Sequence, residues 1–223
     1  SKMLDINDLV GKIHLGDCLD IMKQMPDKCV DLVLTDPPYG INKDTGSDDF
    51  GTTKSRKYKG GWDSKIPERE YFNEIIRVSK NQIIFGGNYF TMYLPITNSW
   101  IVWDKVGEFQ FDNPFSDCEL AWTSFKFAMK KITCIQQGFI NEDKSQQRIH
   151  ATQKPARLFS DIVRQFSKES DIIFDPFIGS GTTAIACIAN NRQFIGIEKD
   201  PEYHRLATER VEKEKLNLFN VGG

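Results

Sequence analysis

Cysteine is scarce and unpaired in this chain. Its five cysteines (Cys18, Cys29, Cys118, Cys134 and Cys187) are odd in number and scattered, with no C-x-x-C pair. That argues against a disulfide framework or a cysteine-held zinc ion and fits reduced core thiols in a cytoplasmic protein. No run of 18 apolar residues and no signal-peptide pattern occurs, so a membrane anchor is not expected. An excess of one charge is missing too. With 29 Lys+Arg against 31 Asp+Glu, any hold on nucleic acid must come from local patches. No internal repeat is visible.

What is present points to one α/β domain spanning residues 1–223, with ordinary apolar (39%) and charged (27%) content. Seven short apolar runs read as strands: 12–15, 30–35, 82–85, 100–103, 118–122, 171–174 and 193–197. Helical spacing covers Cys18–Met25, Arg69–Ser79, Ala156–Phe166, Thr183–Ala189 and Pro201 to about Glu214. This alternation predicts a doubly wound, mostly parallel, seven-stranded Rossmann-like sheet. The strands near Trp100 and Trp122 have no helix between them and predict an antiparallel edge. Residues 40–65 turn to Gly, Ser, Thr, Lys and Asp and read as a mobile loop, and Lys126–Arg148 reads as polar and irregular.

Two strand ends carry chemistry. Val30–Thr35 runs into Asp36-Pro37-Pro38-Tyr39. Two prolines cannot join a ladder or helix, so they fix a rigid corner where open α/β sheets bind ligands. A carboxylate, free carbonyls and an aromatic ring on that corner can grip a flat, hydrogen-bonding molecule such as a nucleobase. The second strand end is Asp175-Pro176-Phe177-Ile178-Gly179-Ser180-Gly181-Thr182-Thr183, between a strand and a helix. Its glycines admit a ligand to the backbone, and the helix N-terminus favours an anion. About twenty residues on, a strand ends at Glu198, placed to accept hydrogen bonds from ribose hydroxyls. A P-loop is disfavoured because no Gly-Lys-Ser/Thr follows, and the three-glycine NAD pattern is absent. A cofactor with adenosine at one end and a carboxylate in place of phosphates fits better, and S-adenosyl-L-methionine has that constitution.

The D-P-P-Y corner followed by an F-x-G-x-G loop resembles the amino-methyltransferases that act on exocyclic amines of DNA bases. With Asp36 preceding Gly179 and Gly181, the order looks like the circularly permuted β class. The resemblance covers roughly Lys12 to Glu212. It implies catalytic roles for Asp36, Pro37, Pro38 and Tyr39. It implies cofactor contacts from Asp17, Cys18, Asp36, His150, Lys154, Asp175, Phe177, Gly179, Gly181, Thr182, Thr183, Glu198 and Lys199. Within that set Gly16-Asp17 falls near the cofactor adenine, and His150 and Lys154, in an H-x-x-x-K-P segment, approach its methionine carboxylate. Trp103-Asp104-Lys105 and Glu119-Leu120-Ala121-Trp122 also look like family strands. The chain is expected to enter the methyltransferase sheet at its third strand and supply the first two last.

Asp at the first corner position resembles the N6-adenine enzymes, whereas N4-cytosine enzymes usually carry Ser there. The implied activity is methylation of the adenine N6 amine in DNA after base flipping. N4-cytosine methylation and a catalytically silent DNA- or partner-binding module are the alternatives. Lys43, Lys54, Arg56, Lys57 and Lys59 of the 40–65 loop, with Lys130 and Lys131, are candidate phosphate contacts. Ordinary solvated surface is the alternative for both groups. A short target-recognition region is expected about 106–117 and 126–148. Dimers occur in this class, so a homodimer is an expected partner, as is a cognate restriction endonuclease. Gly86-Gly87-Asn88 reads as a strand-end turn, and His14 and His204 as structural or surface residues.

Overall fold

Side-chain alternation along one central strand divides the core into two layers. Leu32 and Leu34 pack into one hydrophobic layer and Val33 into the other, and all three are buried. A strand covered on both faces needs apolar residues at nearly every position, as this run has. The computed structural model of the chain describes residues 3–40, 66–109, 116–137, 140–141 and 153–221.

In chain order the elements begin with α1 (Ile6–Leu9), β1 (Lys12–Leu15), α2 (Cys18–Met22), β2 (Val30–Thr35), α3 (Arg69–Val78) and β3 (Ser79–Phe85). Strands β4 (Trp100–Asp104), β5 (Cys118–Thr123), β6 (Lys130–Thr133), β7 (Gln136–Gln137) and β8 (Ile140–Asn141) come next. The chain closes with α4 (Ala156–Phe166), β9 (Ile172–Asp175), α5 (Thr182–Ala189), β10 (Gln193–Glu198) and α6 (Pro201–Val221).

Eight strands form one sheet in the order β1-β10-β9-β2-β3-β5-β4-β6, while β7 and β8 pair separately. Within it β5 is antiparallel to both its neighbours and every other pairing is parallel. The chain enters at the β1 edge and leaves the two strands beside it, β10 and β9, until last. Helices α4, α5 and α6 cover one face through residues such as Leu158, Ile185 and Val211. Helices α2 and α3 cover the other through Met22, Phe72 and Ile75.

The doubly wound, mostly parallel sheet matches the expectation, with two differences. The strand Lys130–Thr133 lies in the stretch read as irregular. Of its four residues only Ile132 is buried, so an edge strand of mostly outward polar residues gives no alternation signal. The antiparallel strand β5 is not outermost, because β4 and then β6 lie beyond it. The chain reverses between β4 and β5, and β5 inserts between β3 and β4.

What positions the site is the junction of β2 and β9. From β2 the sheet grows outward through β3, and from β9 it grows the opposite way through β10. Their carboxyl ends flank a topological switch point, where the following loops diverge and leave a crevice. Asp36-Pro37-Pro38-Tyr39 follows one of these strands and the Asp175–Thr183 loop the other.

Candidate active site

A cavity of about 760 Å³ opens over that crevice, within the range of about 300–1,000 Å³ usual for small-molecule sites. Asp36 and Pro38 from the corner, Gly179, Thr182 and Thr183 from the glycine loop, and Glu198 from β10 all line it. Asp17, Cys18, Lys154, Asp175, Phe177 and Lys199 do so as well. Residues from five separate stretches of sequence therefore meet in one chamber.

At the corner, Lys154 Nζ lies 2.7 Å from Asp36 Oδ2, and the Tyr39 hydroxyl donates to Asp36 Oδ1. The same ammonium stands 3.1 Å from Glu119 Oε2, and Lys105 Nζ is 3.2 Å from the other Glu119 oxygen. The result is an alternating series, Lys105–Glu119–Lys154–Asp36–Tyr39. Lys154 is only 8% exposed. Burial works against its charge, yet Asp36 and Glu119 hold its ammonium well above the usual lysine range. Burial likewise opposes the Glu119 anion, but Lys154 and Lys105 bring that carboxyl down to about 2. Burial first, then the Asp36 carboxylate, pushes the Tyr39 phenol well up, so it stays a neutral donor. Removing one partner of such a buried set costs about 3–5 kcal/mol, because the other charge is left uncompensated.

The Tyr39 ring is stacked on Tyr89 with centroids 4.9 Å apart and meets Phe90 edge-on at 6.1 Å. It also dictates the turn after β3. A Cβ on Gly86 would sit 2.1 Å from Tyr39 Cε1, and Gly86 has φ +67°. Only glycine satisfies both demands. The strand-end turn expected at Gly86-Gly87-Asn88 is thus a seat for the corner's ring.

At the glycine loop, Asp175 accepts from Thr35 Oγ1 at 2.6 Å, Thr183 Oγ1 at 2.5 Å and the Phe177 N–H at 3.1 Å. Complete burial nevertheless raises its pKa to about 7. Glu198 accepts from the Gly179 N–H at 3.0 Å and the Asp200 N–H at 2.8 Å, one on each oxygen. Each oxygen keeps a lone pair for a further donor. Burial raises the Glu198 pKa as well. Asp17 caps α2 through Leu19 N (2.9 Å) and accepts from the Tyr71 hydroxyl at 3.1 Å on both oxygens. Tyr71 and Phe177 tilt toward each other, 6.1 Å between centroids, at that end of the cavity.

Those features fit a nucleoside joined to an amino acid. Tyr71 and Phe177 can border a purine, Asp17 can accept from an exocyclic amine, and Glu198 can accept from ribose hydroxyls. The N-terminus of α5 presents backbone N–H groups toward a carboxylate.

Some expected residues stand elsewhere. Gly181 does not line the cavity; its φ of +83° starts α5, and a Cβ there would meet Ala207 at 3.5 Å. Asp36 and Pro38 line the cavity from the corner, while Tyr39 packs on Tyr89. Lys154, expected on a cofactor carboxylate, is engaged with Asp36 and Glu119 while still facing the cavity. Lys130 lies over the rings of Phe127 and Phe166, both at 5.5 Å, and Lys131 pairs with Asp104 at 3.0 Å. His150, Lys43, Lys54, Arg56, Lys57 and Lys59 lie outside the described residues. Tyr71, Tyr89 and the part played by Glu119 were missed. A signal existed only for Glu119, a lone carboxylate in the otherwise apolar run Cys118–Trp122.

Comparison with known proteins agrees with this geometry. The type II methyltransferase M.HpaI of Haemophilus parainfluenzae is 27% identical over 241 residues, spanning 91% of this chain and 74% of its own. M.HinfI of Haemophilus influenzae is 27% identical over 266 residues, spanning 97% and 72%. The structure of the M1.HpyAVI–SAM complex shares the fold, with a TM-score of 0.58 at 24% identity over 89% of this chain and 98% of that one. A DNA methylase family model matches residues 92–209, more than half of the sequence. The chain belongs to the N6/N4 DNA methylase family.

Proposed function

We propose that the chain transfers a methyl group from S-adenosyl-L-methionine to the N6 amine of adenine in DNA, the base being flipped out of the duplex. The observation that carries this reading is the single cavity shared by Asp36 and Pro38 with Gly179 and Glu198. The order of the two motifs in the sequence supports the permuted β class.

When bound, S-adenosyl-L-methionine supplies an electrophilic methyl group on a sulfonium. The residues of the chain do the rest by binding and aiming. Glu198 takes the ribose hydroxyls, the α5 N-terminus takes the carboxylate, and Asp17 with Tyr71 takes the adenine edge. An aromatic amine is a poor nucleophile because its lone pair is delocalised into the ring. Asp36 accepts one amino hydrogen and the Pro37 carbonyl the other, drawing the nitrogen toward a tetrahedral shape with its lone pair toward the methyl carbon. Asp36 or water would take the proton that the methylated nitrogen gives up, and the cofactor, having lost its methyl group, would leave as a neutral thioether. Such alignment is worth up to about 7–11 kcal/mol in favourable cases. No residue forms a covalent bond.

Lys43, Lys54, Arg56, Lys57 and Lys59 are proposed to meet DNA phosphates. A homodimer, a cognate restriction endonuclease and a cytoplasmic location complete the reading. Among the described residues no helix is long and apolar enough to cross a membrane. The family model spans N6 and N4 methylases, so N4-cytosine is the second reading, and Asp36 in place of Ser favours adenine. Tritiated cofactor and plasmid DNA in a filter assay test the activity, and chromatography of the nucleosides separates N6-methyladenine from N4-methylcytosine. Absence of label in DNA would overturn the proposal.

A further inference from the structure

Glu119 Oε2 is buried and has no aligned hydrogen-bond donor, although Lys154 Nζ is 3.1 Å away. The ammonium is aimed instead at Asp36 Oδ2, 2.7 Å distant. One buried cation therefore has two carboxylates within reach and a directed bond to only one of them. A second cation, Lys105, holds the far oxygen of Glu119 at 3.2 Å and anchors that side chain.

Asp36 accepts a base amine more weakly while the Lys154 ammonium draws on its charge at Oδ2. Tyr39 occupies one of its oxygens and Lys154 the other. From this geometry we infer that Glu119 is a positioning residue that receives the Lys154 ammonium when Asp36 turns to the target amine. The small rotation of Nζ toward Oε2 exchanges one charge-assisted hydrogen bond for another, so the ammonium is never left without a carboxylate. The inference rests on the reading of Asp36 as the acceptor for the amine. It assigns Glu119 an effect on turnover without contact to base or cofactor.

Glu119→Gln keeps the shape and removes the receiving charge. The expected result is a fall in kcat of at least about tenfold, the scale on which small misplacements at a reacting centre act. The KM for DNA and the affinity for S-adenosyl-L-homocysteine, measured by calorimetry, should stay within about threefold, and Glu119→Asp should recover part of kcat. In a Lys154→Met background, Glu119→Gln should cost no more than about twofold further, because the route through Lys154 is already lost. A kcat within twofold of the unaltered chain would overturn the inference. So would an undiminished penalty in the Lys154→Met background, or a loss of binding and thermal stability that Glu119→Asp does not reverse. If the unaltered chain puts no label into DNA, the functional reading itself fails. If it does and Asp36→Ala does not, while Glu119→Gln is normal, only this inference fails.

Discussion

Thr35 donates its hydroxyl to Asp175 Oδ1 at 2.6 Å, joining the carboxyl ends of β2 and β9 across 140 positions of sequence. That bond ties the base-facing corner to the cofactor-facing loop through a buried carboxyl.

The Asp175 carboxyl titrates near 7 in the folded chain, against an ordinary value of 3.8, because burial disfavours the anion. The folded state holds this proton where the unfolded state has lost it. Stability from this group is therefore complete below about pH 4 and is lost as pH rises toward 7. At about 1.4 kcal/mol per pH unit, the upper bound of that loss is about 4 kcal/mol. Glu198, also raised, adds a slope of the same sign. Urea unfolding between pH 5 and 7.5 should show a falling midpoint, flattened in Asp175→Asn. A midpoint independent of pH in both chains would contradict it.

Asp36→Ala should abolish methyl transfer to DNA. Calorimetric binding of S-adenosyl-L-homocysteine should stay within about tenfold, since the ribose and adenine contacts are untouched, a limit equal to about 1.4 kcal/mol. Substantial turnover by this variant would refute the assignment of the corner.

Gly86→Ala places a methyl group inside the Tyr39 ring and in a left-handed conformation. Overpacking and backbone strain together predict a loss of about 2–4 kcal/mol in chemical denaturation. In a Tyr39→Ala background the steric part should vanish, leaving about 1 kcal/mol from the positive φ. Equal penalties in the two backgrounds would show that the ring does not set the turn.

Tyr71→Phe removes the hydroxyl bound to Asp17. That hydroxyl, pushed up to about 12 by burial and Asp17, is a donor at every working pH. Losing one hydrogen bond to a charged acceptor, about 1.5–3 kcal/mol, should lower the melting temperature read by calorimetry in the absence of cofactor. Cofactor binding should weaken as well, because the Asp17 carboxylate is no longer held in place at the adenine end. Unchanged affinity would detach Tyr71 from the adenine end.

Lys130→Ala should leave the salt dependence of DNA binding unchanged. Lys130 pairs in register with Ile101, near the start of β4, whereas the cavity opens at the carboxyl ends of the parallel strands. Lys57→Ala should lower the salt slope by about one. Fluorescence anisotropy across a salt series reads both, and a reduced slope for Lys130→Ala would reverse the assignment.

Much of this was legible in the sequence. The β2 corner, the glycine loop and Glu198 announce themselves because prolines and glycines at strand ends leave few alternatives. The βα alternation gives the sheet. The strand Lys130–Thr133 was hidden because an edge strand with one buried residue has no apolar period to detect. The linkage of Lys154 to Asp36 and Glu119 was hidden for another reason. Residues 36, 119 and 154 come from separate segments, and only the insertion of β5 between β3 and β4 brings Glu119 to the corner. Nothing in the residues near Tyr71 marks it, since a tyrosine on an amphipathic helix reads as packing.

Leaving β9 and β10 until last has a consequence for synthesis. During translation the corner leaves the ribosome well before its neighbour strand and Glu198 do. The chain therefore cannot seat a methyl donor until β9 and β10 have been made. Pairings this distant in sequence also close slowly, so the capacity to modify DNA waits on the pairing of β2 with β9.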